Sequence, residues 1–173
     1  MKHSRGFTLF ELMVTIGVVA VLLGLAVPTF REFTRNNSVT AVQNDLVTSF
    51  NLARSEALRR NRPVSICASA DGTTCGEDTD WNQGWIAFID RGTAGELNEA
   101  AGDSLLNAWI SANSELTFFS DGSTYVQYRP TGMSAAEMTI DVSWPGCAGL
   151  KKRRITVTPT GAITGQVVDC AEE

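Results

Sequence analysis

Histidine is all but missing from this chain: the only one in 173 residues is His3. Serine and cysteine nucleophiles commonly need an imidazole base, and imidazole is the commonest metal ligand. A histidine ahead of a long apolar run is badly placed for either task. No glycine-rich phosphate loop follows a predicted strand, which argues against nucleotide chemistry. Close Cys-x-x-Cys pairs are absent among Cys67, Cys75, Cys147 and Cys170, which argues against a zinc site. An excess of basic charge is absent as well. With 14 Lys+Arg against 19 Asp+Glu the formal net charge is -5, unlike a protein that coats nucleic acid. No period of about 20–50 residues repeats, so the chain is not a solenoid. These absences lead away from enzymes: no catalytic, metal or cofactor site is expected.

What is present is one long apolar run. Between Leu12 and Val27 only Thr15 is polar, two glycines aside. Counted from Phe7 to Phe30, the run reaches the roughly 20 residues a membrane span needs, with Glu11 as the one charge inside. Lys2 and Arg5 precede it, which keeps the leader in the cytoplasm and sends the rest outside. A secretory signal would be cut after its apolar stretch, at a small-residue site. Here the chain continues Pro28-Thr29-Phe30-Arg31-Glu32-Phe33, with no such pattern. A carboxylate within an apolar helix costs roughly 2.5–3.5 kcal/mol on insertion scales, which makes Glu11 a candidate functional residue.

Beyond the run the pattern turns amphipathic. Val39, Val42, Leu46, Phe50, Ala53 and Ala57 recur at steps of three or four, the spacing of one helix face. The helix is expected to continue from the apolar run, with Pro28 as a kink point, and to end at Arg62-Pro63. Short stretches rich in β-branched and aromatic residues follow at 64–68, 85–89, 116–119, 125–129, 138–143, 154–158 and 162–168. Residues 105–110 read as another strand or a helical turn. Helix first and strands after gives an α+β fold, with a long N-terminal helix packed on antiparallel β-sheet.

The segment Gly6-Phe7-Thr8-Leu9-Phe10-Glu11-Leu12, followed by an apolar helix with Pro28 near its far end, resembles the prepilin cleavage motif of type IV pilins and type II secretion pseudopilins. The resemblance implies cutting between Gly6 and Phe7 by a prepilin peptidase and N-methylation of Phe7. It implies three parts: a leader over 1–6, a transmembrane and assembly helix over 7–28, and a periplasmic pilin-like domain over 29–173. Glu11 then pairs with the new amine of a neighbouring subunit. Cutting also removes His3, and lowers the basic count from 14 to 12 against 19 acidic residues. The run from Ala53 to Cys67, with Asp71-Gly72, Cys75, Trp81 and the stretch from Gly84 to Phe88, resembles the GspH/FimT group of minor pilins and minor pseudopilins. That implies a minor pilin incorporated into or priming a type IV pilus. The alternative is a GspH-like minor pseudopilin of a type II secretion system. Expected partners are the inner membrane and other pilins or pseudopilins, met through the N-terminal helix. The protein would be a single-pass inner-membrane protein that reaches the cell surface once assembled.

Four cysteines, all beyond the apolar run, suit two disulfides in an oxidising compartment. Of three connectivities, local pairing of Cys67 with Cys75 and Cys147 with Cys170 is expected. Glu77, Asp78, Asp80 and Asn82 suggest the start of a calcium loop. However, Gly84 falls one place late and Ile89 stands where a bidentate Glu is required, so a solvated acidic loop is expected.

Lys151, Lys152, Arg153 and Arg154 form a basic run that stands out in an acidic chain. Clustered cations at a junction of loop and strand suit phosphate binding. FimT-type relatives bind DNA through a basic C-terminal motif, so the resemblance implies duplex DNA as a partner. Strand alternation turns Lys152 and Arg154 away from Ile155 and Val157, toward solvent. The competing reading is a solvated turn that blocks edge pairing.

Overall fold

The computed structural model describes residues 7–76, 81–110, 115–121, 124–147 and 151–170, except the side chains of Pro28 and Thr29. One helix, α1 (Leu9–Arg60), comes first. Among the described residues eight strands follow: β1 (Val64–Ala68), β2 (Gly84–Ile89), β3 (Ser104–Ile110), β4 (Thr117–Ser120), β5 (Tyr125–Tyr128), β6 (Met138–Ser143), β7 (Lys151–Val157) and β8 (Ile163–Asp169). The chain divides into two compact units, Met1–Arg35 and Asn36–Glu173.

In the first unit α1 is apolar on every side from Leu12 to Val27, and its large hydrophobic side chains from Leu9 to Phe33 are exposed. A helix hydrophobic all round belongs in an apolar medium. Its best 18-residue window has a mean hydropathy of 2.4, long and apolar enough to cross a membrane. Thr15, the lone hydroxyl in the run, donates to the Leu12 carbonyl at 2.8 Å and so carries no unsatisfied donor into it. The helix is continuous through Pro28.

In the second unit the helix face read from the sequence is buried: Val39, Val42, Leu46, Phe50, Ala53 and Ala57. The helix stops at Arg60, earlier than the Arg62-Pro63 stop expected. Asn61 adopts the left-handed conformation at φ 52, and the Arg62 N–H donates back to the Ala57 carbonyl. Asn tolerates that conformation well enough to close a helix before proline is reached.

The strands form two four-stranded antiparallel sheets, β3-β2-β1-β5 and β4-β6-β7-β8. One hydrophobic core joins the buried face of α1 to both: Val64, Ile66 and Tyr128 from the first sheet, and Met138, Ile140, Val142, Ile155 and Val157 from the second. Fully burying a side chain the size of Leu46 or Phe50 stabilises the domain by about 1.5–3 kcal/mol each. The helix lies close to the second sheet at Gly165, where a Cβ would come within 2.3 Å of the Gln43 amide nitrogen.

The other face of the first sheet is covered by loops. Cys67, Ile86 and Phe88 pack there with Cys75, Leu97 and Tyr125. A disulfide joins Cys67 to Cys75 (Cα–Cα 5.6 Å), and a second joins Cys147 to Cys170 (5.9 Å). Within the first loop Asp71 accepts from the Thr73 and Thr74 N–H groups, both at 2.8 Å. These bonds hold its carboxyl well below the usual range.

Two buried carboxylates order the loop after β2. Asp90 accepts from the Ser65 hydroxyl at 2.5 Å, and from the Gly95 N–H and Gln127 Nε2, each at 2.9 Å. Asp103 accepts from the N–H groups of Arg91, Gly92 and Asn98. Gly95 is required here: it sits at φ 81, and a Cβ would lie 2.4 Å from the Tyr125 ring. Asp90→Asn keeps one acceptor but loses the charge, and is expected to cost about 1–2 kcal/mol, read from the urea midpoint. An unchanged midpoint would remove Asp90 as a loop anchor.

Candidate functional site

Two features of the chain are candidates for function: the start of α1 and the cationic stretch of β7. Gly6 lies outside the described residues, whereas Phe7 and Glu11 lie within them, both exposed. Thr8 precedes the first helical residue, and its Oγ1 accepts from the Glu11 N–H at 3.2 Å. Its carbonyl takes the first helical bond, from the Leu12 N–H at 3.2 Å. Thr8 is therefore the N-cap, and Thr8-Leu9-Phe10-Glu11 has the spacing of a capping box. The sequence reading singled out Glu11 and missed Thr8, although the S/T-x-x-E pattern marks it. Glu11 stands in the first turn, where the helix dipole favours a negative charge.

Lys151, Lys152, Arg153 and Arg154 were expected at a junction of loop and strand, with the strand starting at Arg154. All four lie inside β7, which begins at Lys151 and pairs along its whole length with β8. The alternation holds, because Lys152 and Arg154 project from the face opposite Ile155 and Val157. The expected solvation holds only in part: the Arg154 side chain is 39% exposed and that of Lys152 23%. Asp141 on β6 stands directly across from Arg154 and takes both cations. Arg154 Nε donates to Asp141 Oδ1 at 2.7 Å and its Nη2 to Oδ2 at 2.8 Å, while Lys152 Nζ lies 2.9 Å from Oδ2. Burial pushes the Asp141 carboxyl up, but the hydrogen bonds from Arg154 and Lys152 outweigh it and hold the group below the usual carboxylate range. The same bond raises Arg154.

The remaining two cations are also engaged. Lys151 Nζ lies 3.2 Å from Asp169, its partner across the β7–β8 ladder, with both side chains mostly exposed. Such a pair contributes little to stability. Arg153 points to the core side, where its Nη2 donates to the Thr40 hydroxyl of α1 at 3.1 Å. The strip thus presents two outward cations clamped on one carboxylate, a third at its end, and a fourth held against the helix. Gly149, part of the stretch likened to the DNA-binding motif, lies outside the described residues, as do Glu77, Asp78 and Asp80 of the acidic loop. Among the described residues no group of three or more His, Cys, Asp or Glu is placed to hold a metal ion.

Residues 42–161 match the family model described as Type II transport protein GspH. The chain belongs to the GspH family. Residues 1–27 separately match the prokaryotic N-terminal methylation motif, the segment that contains Gly6, Phe7 and Glu11. The type IV minor pilin FimU of Pseudomonas aeruginosa has a similar fold. It aligns with a TM-score of 0.61 at 21% identity, over 78% of this chain and 92% of that one. The minor pseudopilin EpsH from the type 2 secretion system of Vibrio cholerae aligns with a TM-score of 0.52 at 11% identity, over 75% and 97%. A fimbrial protein of Pseudomonas aeruginosa is 30% identical over 71 residues, which is 41% of this chain and 46% of the relative. The pilin-like protein PilA1 of Thermus thermophilus is 32% identical over 87 residues, 50% and 49% respectively. The chain spans about half the length of these curated relatives.

As a GspH-family member, the protein has the type IV pilin-like architecture expected of it, with a long N-terminal helix followed by antiparallel sheet. The methylation motif implies processing by a prepilin peptidase and assembly with pilins or pseudopilins, and the apolar helix fits anchoring in the inner membrane. The GspH match takes in the whole β7 strip and Asp141. Asp141 escaped the sequence reading, although 138–143 alternates apolar and polar residues with a single acid on the polar side. Which cation that acid meets depends on register, and register is set by the fold.

Proposed function

We propose that the protein is a minor pilin of a type IV pilus, cut between Gly6 and Phe7 and incorporated into or priming the filament through residues 7–28. The observation that carries this reading is Glu11: one carboxylate near the start of α1, where the helix is otherwise uncharged, apolar and exposed as far as Val27. Cutting before Phe7 creates a cationic amine, and its pairing with Glu11 of an adjacent subunit offsets the cost of that charge in lipid. Residues 29–173 then form the periplasmic domain, carried to the cell surface with the filament. No catalytic role is assigned.

A second reading, a minor pseudopilin of a type II secretion system, is favoured by the description of the family model that matches. Deleting the gene separates the two. Loss of piliation, twitching or transformation supports the pilus. Loss of exoprotein release with piliation intact overturns it in favour of secretion.

Duplex DNA is the further partner proposed for Lys151, Lys152, Arg153 and Arg154. The support is four consecutive cations in one paired strand, two of them on its outer face. Binding has to compete with Asp141 and Asp169, and with an acidic chain. Lys152→Gln with Arg154→Gln is expected to flatten the salt dependence of DNA binding by about 2 in log–log slope. An unchanged slope and affinity would take this strip out of DNA binding.

A further inference from the structure

The domain carries a second cluster of cations besides β7, where α1 ends. The chain there reads Arg59-Arg60-Asn61-Arg62, and strand pairing brings two more arginines beside it. β1 lies between β2 and β5, and its first residue, Val64, pairs with Ile89 on one side and Tyr128 on the other. The Asp90 N–H donates to the Pro63 carbonyl at 3.0 Å, which carries the β1–β2 pairing one step further. Arg91 is therefore level with Arg62, and Arg129 with Pro63. Neighbouring strands lie about 4.7–4.9 Å apart, so the backbones of Arg62, Arg91 and Arg129 fall within about 10 Å. Arg59 and Arg60 join them, because the left-handed Asn61 turns the chain from the helix into β1 within three residues.

All five arginines are exposed. Glu56 takes Arg59 Nη2 at 2.7 Å and Arg60 Nε at 2.5 Å. Among the described residues Arg62, Arg91 and Arg129 pair with no carboxylate. Asp90 and Asp103 are buried and occupied by the donors of their own loop, by Ser65 and by Gln127. Glu96 and Glu99, exposed on that loop, reach none of the five. The helix dipole accounts for cations in the last turn of α1, but not for three at strand ends. Five cations meet one carboxylate here, whereas on β7 four meet two. We propose that these five arginines bind the phosphate backbone of duplex DNA, at a site separate from β7. All are arginine and none is lysine, and the guanidinium fork matches phosphate oxygens two at a time. Tyr128, the aromatic beside Arg129, is fully buried, so the site offers no ring for bases to stack on. It grips the backbone of a duplex without reading sequence.

The test uses the full chain in non-ionic detergent micelles, with a short duplex DNA and a polyglutamate of equal charge as probes, titrated over a range of salt. R62Q with R91Q and R129Q is expected to weaken duplex binding about tenfold or more at low salt, and to flatten its log–log salt slope by about 2.7. The same three positions changed to lysine keep the charge, and are expected to restore the slope. K152Q with R154Q reports on β7 separately. A glutamine triple that binds the duplex as the wild type does overturns the site, and loss of binding in the β7 variant alone then assigns DNA to β7. No duplex binding by the wild type overturns both surfaces. A lysine triple that binds no better than the glutamine triple overturns the site as well, since charge is then not what the three positions supply. Polyglutamate bound as tightly as the duplex overturns the phosphate partner in favour of an acidic protein surface.

Discussion

Glu11→Gln is expected to leave the protein folded and membrane-inserted, while incorporation into filaments falls by tenfold or more. The helix start tolerates the change, because the bond at the cap runs from the backbone N–H of residue 11 to Thr8 Oγ1, whatever the side chain. Glutamine also serves at the third position of a capping box. In lipid the neutral amide is cheaper than a carboxylate, so the subunit resides in the membrane at least as well. Only the charge offered to the amine of a neighbouring Phe7 is lost. Thr8→Ala gives the complementary result: it costs about 1 kcal/mol of helix stability by removing the cap and leaves the charge in place. Subunits in sheared filaments, counted against those left in the membrane, measure both. Wild-type assembly of Glu11→Gln would sink the pairing mechanism and leave Glu11 as a residue that stabilises the helix start.

The sequence made the helix legible because its signal is local. The steps from Val39 to Ala57 repeat the helical period, and each of those six side chains is buried. The strands β1 and β6 were readable to the residue, since apolar and β-branched residues bounded by turns suffice to mark them. β3 was not, for a physical reason. Asn107 pairs with Ala87 and Leu105 with Phe88, which leaves Leu106 as an extra residue at a bulge. Leu106 and Trp109 both pack on the main core as a result, so the run has neither strand nor helix periodicity. The division into two sheets was also hidden. β5 returns to β1 while β4, before it in the chain, joins β6. At the candidate sites, Gly6, Phe7 and Glu11 form a linear motif and could be read as one. The Asp141 clamp is a cross-strand contact, and its absence from the reading made the β7 cations look free.

Asp141→Ala is expected to destabilise the domain by about 3 kcal/mol at pH 7. Removing the carboxylate strands two cations that it holds by three contacts of 2.7–2.9 Å. Breaking a buried pair costs about 3–5 kcal/mol, and the low end applies because the Arg154 side chain is 39% exposed. The sign of the pH dependence follows from the depressed Asp141 pKa. A carboxylate whose folded pKa lies below its unfolded value stabilises fully above the unfolded value, about 3.9, and loses that contribution as pH falls through the folded value. The gap between wild type and Asp141→Ala should therefore hold from pH 7 to 5 and close only below about pH 3.9. Thermal or urea unfolding at pH 7, 5 and 3 measures it. Duplex binding should move the other way, tighter in Asp141→Ala, because Lys152 and Arg154 lose their internal counter-charge. A variant that is destabilised yet binds no better would show that the two cations serve the sheet alone.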